Sequence, residues 1–381
     1  MPTSILSSAE LERALAIRDL TDPRQGLHAL QILLADAVEA LRGAWQSVPL
    51  WRRAHPVVSI ADNYDRLHYP QDGAARDARY TRYVSEATLL RTQTSAMIPG
   101  ALRSLDLDAI PGPAHDVLLV CPGIVYRRDT IDRLHTGEPH QVDLWRIRRG
   151  PALGREDLLE MVRLVVEAAL PGRAHRVIEA AHPYTVGGLQ VDVEAGGEWV
   201  EIGECGLALP ALLAECGHDP SRTSGLAMGL GLDRLVMLRK GIDDIRLLRA
   251  EDPRVSGQMA DLAPYRPVSR MPPVRRDLSI ATDMDDTPEE IGDRVRSALG
   301  ARVASLEGVE VMSETPWHEL PEVAAARLGI AAGQKNVLVR VTIRDLERTL
   351  THAEANVLRD EVYAALHRGS VWHWASRKTA A

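Results

Sequence analysis

The chain has 381 residues, 45% of them apolar and 26% charged, with a formal net charge of −8, which fits a globular protein of two or three domains. The acidic balance excludes a chain that coats nucleic acid over its whole surface, though not one with a local basic face. No apolar run is long enough to span a membrane, the opening MPTSILSSAELERAL places acidic residues where a signal peptide has its apolar core, and Cys121, Cys205 and Cys216 lack paired metal spacing, so a cytoplasmic protein with reduced thiols and no membrane partner is expected.

Residues 1–50 read as helical. Ser8 offers an N-cap to the run that follows it, and Leu27 to Arg42 repeats apolar residues at helical spacing. From Pro56 turn signals dominate. Asp116–Cys121 reads as a buried strand and Gly123–Arg127 as a second one. A charged loop, 128–139, separates them from a returning strand that starts at Gln141, which makes an antiparallel hairpin. Glu156–Ala169 is an amphipathic helix, and Leu189–Val193 and Glu198–Gly203 are strands with alternating faces. In Gly225-Leu-Ala-Met-Gly229-Leu-Gly231-Leu-Asp-Arg234 a glycine-rich strand feeds a helix. The fold class is α+β, with an antiparallel sheet flanked by helices. Residues 252–275 are rich in Pro and Arg and read as a linker. Beyond it, strands at 276–281, 303–312 and 336–343, capped helices opening at Thr287 and Thr351, and a closing strand at 371–374 give a ferredoxin-like βαββαβ order.

Four groups of residues suit chemistry. Arg127 and Asp129 precede a loop carrying His135, and His140-Gln141-Val142-Asp143 follows it. A forked guanidinium suits a phosphate, and a nearby carboxylate can orient it; a solvent-exposed loop is the alternative. Arg91-Thr92-Gln93-Thr94-Ser95 clusters hydroxyls and an amide, which suits a small polar ligand or a plain turn. His182, Tyr184, Gly187, Gly188, Glu201 and Gly206 set rings beside glycines, a pocket for a flat side chain or ordinary packing. Gly229 and Gly231 let a flat ligand approach the backbone, with Arg234 near the helix start.

Together, Arg127 with Asp129 and Gly229-Leu-Gly231 with Arg234 resemble motifs 2 and 3 of class II aminoacyl-tRNA synthetases. "LLRTQTS", "HTGEPHQVD", "HPYT…QVDV", "WVEIGECG" and "GLAMGLGLDRLVMLRKGIDDIR" resemble the catalytic core of phenylalanyl-tRNA synthetase α-type chains. "RRDLSIA" and "RTLTHAEANVLRDEVYAAL" resemble that family's ferredoxin-fold anticodon-binding domain, and the joined arrangement is similar to its single-chain mitochondrial form. The resemblance implies a helical segment at 1–50, of which 27–50 packs on a catalytic domain at 51–251, a linker at 252–275 and an anticodon-binding domain at 276–381. It implies ATP and Mg²⁺, with metal ligands unassigned, an aromatic amino acid as substrate, tRNA(Phe) as acceptor, and a monomer or homodimer.

Roles follow from the resemblance. Arg127 binds the α-phosphate, His135 lies near the outer phosphates, Arg234 meets the γ-phosphate, and Asp129, Glu201, Gly229 and Gly231 complete the ATP site. Gln93, Ser95, Gln141, Asp143, His182, Tyr184, Gly206 and Ala227 form the amino-acid site. Arg266, Arg270, Arg275 and Arg276 are a candidate tRNA patch, with a solvated linker an equal alternative. Departures are equally specific. Gln93 replaces a His, Asp129 a Glu, Val186 a Glu, and His182 and Tyr184 the two Phe residues that stack on the substrate ring, while Pro139 and Met228 also stand at Phe positions. His182 and Tyr184 offer polar partners to a hydroxylated or otherwise modified ring.

The chain contains no phenylalanine, although seven Trp and eight Tyr are present; average usage gives on the order of a dozen or more. A Phe-free synthetase is translatable when charged tRNA(Phe) is absent, which suits a backup or resistance enzyme; drift in a GC-rich lineage is the alternative. Two further readings stay open: an amino-acid-activating paralogue of specialised metabolism with another acceptor, and a non-catalytic amino-acid or tRNA sensor.

Overall fold

β-Branched and aliphatic runs in the middle of the chain pair into a seven-stranded sheet. Its strands are β1 Val48–Trp51, β4 Val117–Ile124, β5 His140–Arg149, β6 His175–Glu179, β7 Thr185–Ala195, β8 Glu198–Ala208 and β9 Thr223–Gly231. Their order is β1-β4-β5-β9-β8-β7-β6. The β1–β4 pair is parallel and the others antiparallel. A separate ladder joins β2 Val57–Ser59 to β3 Thr88–Leu90. The computed structural model describes residues 5–110, 115–268 and 272–373.

β4 corrects the expectation of two strands broken at Pro122 and Gly123. It runs unbroken and buried throughout, as a strand covered on both faces should. Pro122 lies opposite Val142 and Gly123 opposite Gln141. Val120 turns its carbonyl toward Arg52, and alternation points the nitrogen of Pro122 the same way. The last β1 partner on that side is Trp51, opposite Val120, so no ladder bond is lost at the proline.

The Ala29–Trp45 helix buries Leu30, Leu33, Leu34, Ala37, Val38 and Leu41 on one stripe, and the Arg155–Ala169 helix buries Leu158, Met161, Val162, Val165 and Val166. The first helix, Ser8–Leu15, is capped by Ser7 rather than Ser8, because Glu10 closes a capping box with Ser7. β9 passes straight into the Leu232–Lys240 helix, which ends at Gly241 with φ 68°. Lys240 is buried. Its Nζ donates to the carbonyls of Asp261 (2.8 Å) and Ala263 (2.6 Å) and to Asp261 Oδ1 (3.1 Å).

The chain divides into two compact units. The first comprises residues 1–127, 138–242 and 257–265, and the second 128–137, 243–256 and 266–381. Residues 252–275 carry short helical turns at Pro253–Ser256 and Gly257–Ala260. In the second unit β10 Val274–Asp283, β11 Leu306–Pro316 and β12 Gln334–Ile343 form an antiparallel sheet of order β10-β12-β11. Helices Pro288–Leu299 and His352–Leu366 pack on it through Ile291, Val295, Leu358 and Val362. Both open with the expected capping boxes at Thr287 and Thr351. The expected closing strand is not formed over Val371–His373, and Trp374 lies outside the described residues. Instead His367 Nδ1 accepts from the amide of Ala281, whose carbonyl accepts from Arg368, and Trp372 packs edge-on against Tyr363 and His367.

Candidate active site

Register builds the floor of the site. Gln141 lies opposite Gly231, Asp143 opposite Gly229, and Trp145 opposite Ala227. On the other side of β9, Glu204 lies opposite Gly229 and Gly206 opposite Ala227. Opposed residues of antiparallel strands share a face, so the side chains of Gln141, Asp143, Trp145 and Glu204 lie on the face of the two glycines. The glycines differ in kind. At Gly203 a Cβ would meet Gly229 O at 2.1 Å, and at Gly206 it would meet Thr185 Cβ at 2.6 Å; packing demands both. At Gly229 and Gly231 nothing comes nearer than 4.0 Å. These two leave backbone bare on an open face.

Two guanidinium groups border that face. Arg127 stands just past β4 and donates from Nε to Thr92 O at 2.8 Å. Arg234 stands in the first turn after β9 and donates from NH1 to Glu201 O at 3.1 Å. The base of that turn is stapled. Asp233 Oδ1 lies 2.8 Å from His140 Nδ1 and Oδ2 accepts the His140 amide, while His140 Nε2 accepts from Leu20 N at 3.1 Å. An accepting Nε2 places the ring proton on Nδ1. Burial raises the Glu201 carboxyl above its ordinary value and Glu204 adds to the rise, whereas Arg234 and Arg127 oppose it. Glu204, Arg234 and Arg127 therefore all act on Glu201.

Asp143 is fully enclosed. Its carboxylate accepts from Thr94 Oγ1 (2.7 Å), Ser95 Oγ (3.0 Å to each oxygen) and Trp145 Nε1 (3.0 Å). Burial pushes its carboxyl above the usual range against those donors. Gln93 is engaged at both ends: Tyr69 OH donates to Oε1 at 2.8 Å, and Nε2 donates to Asn63 O at 3.0 Å. Burial pushes the Tyr69 phenol up to about 12. The Tyr184 ring stacks near Trp145 (centroids 6.1 Å apart, 24°) and sits 6.2 Å from Tyr69 and 6.3 Å from His182. Ser95 Oγ lies 3.5 Å from the Tyr184 hydroxyl. Gln141 has no side-chain hydrogen bond among the described residues. The hydroxyl cluster, the enclosed carboxylate and the ring box thus form one continuous wall.

Asp129 and His135 fold with the second unit. Arg296 donates to the carbonyls of Asp129 and Thr130, and Gly292 lies so close that a Cβ there would come 2.6 Å from Asp129 O. His135 Nδ1 lies 2.7 Å from Asp132 Oδ2. Arg276 donates to Asn356 Oδ1 (3.1 Å) and to Arg275 O (2.9 Å); Arg266 also belongs to this unit. Arg270 lies outside the described residues. Sequence reasoning missed Trp145, Glu204, Tyr69 and the His140–Asp233 staple. Trp145 and Glu204 lie two residues from Asp143 and Gly206 on the same strands, a spacing that puts them on the same face.

Comparison with known proteins fits this geometry. The family model of the tRNA synthetases class II core domain (F) matches residues 50–259. The chain belongs to the class II tRNA synthetases. The phenylalanine–tRNA ligase α subunit of Prochlorococcus marinus is 39% identical to this synthetase over 192 residues, covering 50% of this chain and 54% of that one. That of Streptococcus pyogenes is 35% identical over 210 residues, 51% of this chain and 58% of its own. The synthetase thus spans about half the length of these curated relatives. The mitochondrial phenylalanine–tRNA ligase of Saccharomyces cerevisiae is 26% identical over 419 aligned positions, covering 88% of this chain and 85% of that one. The solved pyrrolysyl tRNA synthetase PylSc of Desulfitobacterium hafniense aligns with TM-score 0.43 and 17% identity over 63% of this chain and 77% of that one. Among the described residues no helix is long and apolar enough to cross a membrane.

Proposed function

We propose that this synthetase activates an aromatic amino acid, phenylalanine or a close analogue, with ATP and transfers it to tRNA(Phe). The open Gly229–Gly231 floor between Arg127 and Arg234 carries the reading. A purine lies flat on bare backbone there, and the amino-acid ring enters the box of Tyr184, Trp145 and Tyr69, with Gln141 and Ser95 toward its α-amine. Asp143 acts by fixing Ser95 and Thr94, since its oxygens are already filled by three donors.

The substrate carboxylate attacks the α-phosphorus, the bond to the bridging oxygen breaks, and pyrophosphate leaves with the electron pair. Arg127 offsets the charge that develops on the α-phosphoryl oxygens, and Arg234 holds the leaving phosphates. Catalysis of this kind is alignment plus electrostatic stabilisation, with no protein nucleophile. The terminal ribose hydroxyl of tRNA then attacks the acyl carbon and releases AMP. Mg²⁺ fits the site: Glu201 and Glu204 repel each other, and a carboxylate beside substrate phosphates suits this ion. Glu201 would hold it, and it would screen phosphate charge.

The domain reading follows: helices at 1–50, catalysis at 51–251, a linker at 252–275 and anticodon binding at 276–381, with Arg266, Arg270, Arg275 and Arg276 contacting tRNA. The enzyme works in the cytoplasm as a monomer or homodimer. Amino-acid-dependent ATP–pyrophosphate exchange tests the activity. Exchange with an aromatic amino acid that Arg234→Ala abolishes is the expected result; no exchange with any aromatic, or full exchange in Arg234→Ala, refutes it. The absence of phenylalanine from all 381 residues supports a second, finer reading, a backup enzyme made while charged tRNA(Phe) is scarce.

A further inference from the structure

The wall beyond Tyr184 is polar where a plain benzyl side chain would call for apolar cover. The His182 side chain is 8% exposed. Its Nδ1 lies 3.3 Å from Thr185 Oγ1. Its Nε2 is shielded from solvent and has no hydrogen bond of acceptable geometry, although Glu204 Oε2 is only 3.1 Å away. The fold makes room for this ring at Gly188, where a Cβ would fall 2.7 Å from His182 Nδ1 and 2.4 Å from Ala180 O. His182 also lines a cavity of ≈ 500 Å³ with Arg155, Glu179, Thr185 and Gly187. Glu204, 46% exposed at its side chain, lies opposite Gly229 on the open face.

A buried nitrogen without a well-aligned partner is destabilising, so His182 Nε2, which Glu204 approaches without an aligned hydrogen bond, marks a place for a hydrogen-bonding ligand group.

We propose that the side-chain pocket selects an aromatic ring bearing a hydrogen-bonding substituent, a hydroxyl or an amino group, read by His182 and Glu204, over the plain ring of phenylalanine. This rests on the reading that the site activates an aromatic amino acid. A substituent at the ring edge would accept from or donate to His182 Nε2 and use the second Glu204 oxygen. Sites built around such bonds discriminate strongly against analogues that lack the group.

The test is pyrophosphate exchange by the full chain with phenylalanine, ortho-, meta- and para-tyrosine and 4-aminophenylalanine. It is repeated for Glu204→Gln, near-isosteric and half exposed, and for His182→Phe. The native enzyme is expected to favour at least one polar ring over phenylalanine in kcat/KM by roughly tenfold or more, the value of one good hydrogen bond. Each substitution should lower that ratio by a similar factor. Preference of the native enzyme for phenylalanine, or a ratio that Glu204→Gln leaves unmoved, overturns the proposal while leaving aromatic activation standing. Exchange with none of the amino acids overturns both.

Discussion

Replacing Gly229 by alanine separates what the fold needs from what the site needs. A Cβ at this position meets nothing nearer than Asp143 Oδ2 at 4.0 Å, so the fold accepts it. A strand-interior glycine is weaker than alanine by roughly 0.5–1 kcal/mol, and the variant should melt at or slightly above the native temperature. The methyl group stands on the bare face where a purine would lie. Overfilling a fitted contact costs about 1–3 kcal/mol, which corresponds to roughly 5- to 150-fold in affinity. Pyrophosphate exchange should therefore show KM for ATP raised within that range at unchanged stability. Gly203→Ala is the contrast: its Cβ would come 2.1 Å from Gly229 O and 2.9 Å from Leu230 Cδ2, and it should lose stability first. A stable Gly229→Ala enzyme with the native KM for ATP would refute the glycine floor.

Lys240→Met keeps the stem but removes the donor to the carbonyls of Asp261 and Ala263; at about 0.5–1.5 kcal/mol for each hydrogen bond lost, the urea midpoint should fall, and an unchanged midpoint would dismiss the anchor. The Glu354 carboxyl is held down to about 2 from 4.5, chiefly by the Thr351 amide. A depressed acid contributes stability that is present above its unfolded value and lost as pH falls through the folded one. Acid unfolding of Glu354→Gln should lack the loss that the native chain shows between pH 4.5 and about 2; identical acid profiles would count against the box.

Local rules explain what the sequence made legible. The Thr287–Glu290 and Thr351–Glu354 boxes close within four residues, and the step from β9 into a helix is written in consecutive residues. The Ser7–Glu10 box was equally local, yet adjacent serines compete for the cap and only the three-residue spacing to Glu10 decides between them. The continuity of β4 was not legible, because a proline breaks a strand according to which neighbour its nitrogen faces, and that depends on where β1 ends. Tyr69 and Asn63 reach Gln93 from 24 and 30 residues away, a separation that carries no periodic signal. Asp129 and His135 sit in a loop whose partners, Gly292 and Arg296, lie far along the chain.

Absence of phenylalanine can be separated from any structural intolerance of it. The largest enclosed side chains include Trp145, Tyr64, Tyr126 and Tyr363, so the interior already accommodates six-membered rings. Each tyrosine also brings a hydroxyl that must find a partner. Tyr64 OH donates to Ala75 O at 2.6 Å, Tyr126 OH to Ala14 O at 3.2 Å, and Tyr363 OH accepts from the His373 amide at 3.3 Å. A benzyl group would need no such partner, which means the fold accepts a constraint that packing does not impose. Tyr363→Phe removes one hydrogen bond and should cost about 1 kcal/mol or less, read as a small shift in melting temperature. A large loss would show that the interior rejects phenylalanine and would remove the need for a translational explanation. If the loss is small, the backup reading makes its own demand. In a phenylalanine auxotroph deprived of phenylalanine, synthesis of the native chain should continue while a chain with Phe at Tyr83, Tyr126 and Tyr363 stalls, and equal arrest of the two would end that reading.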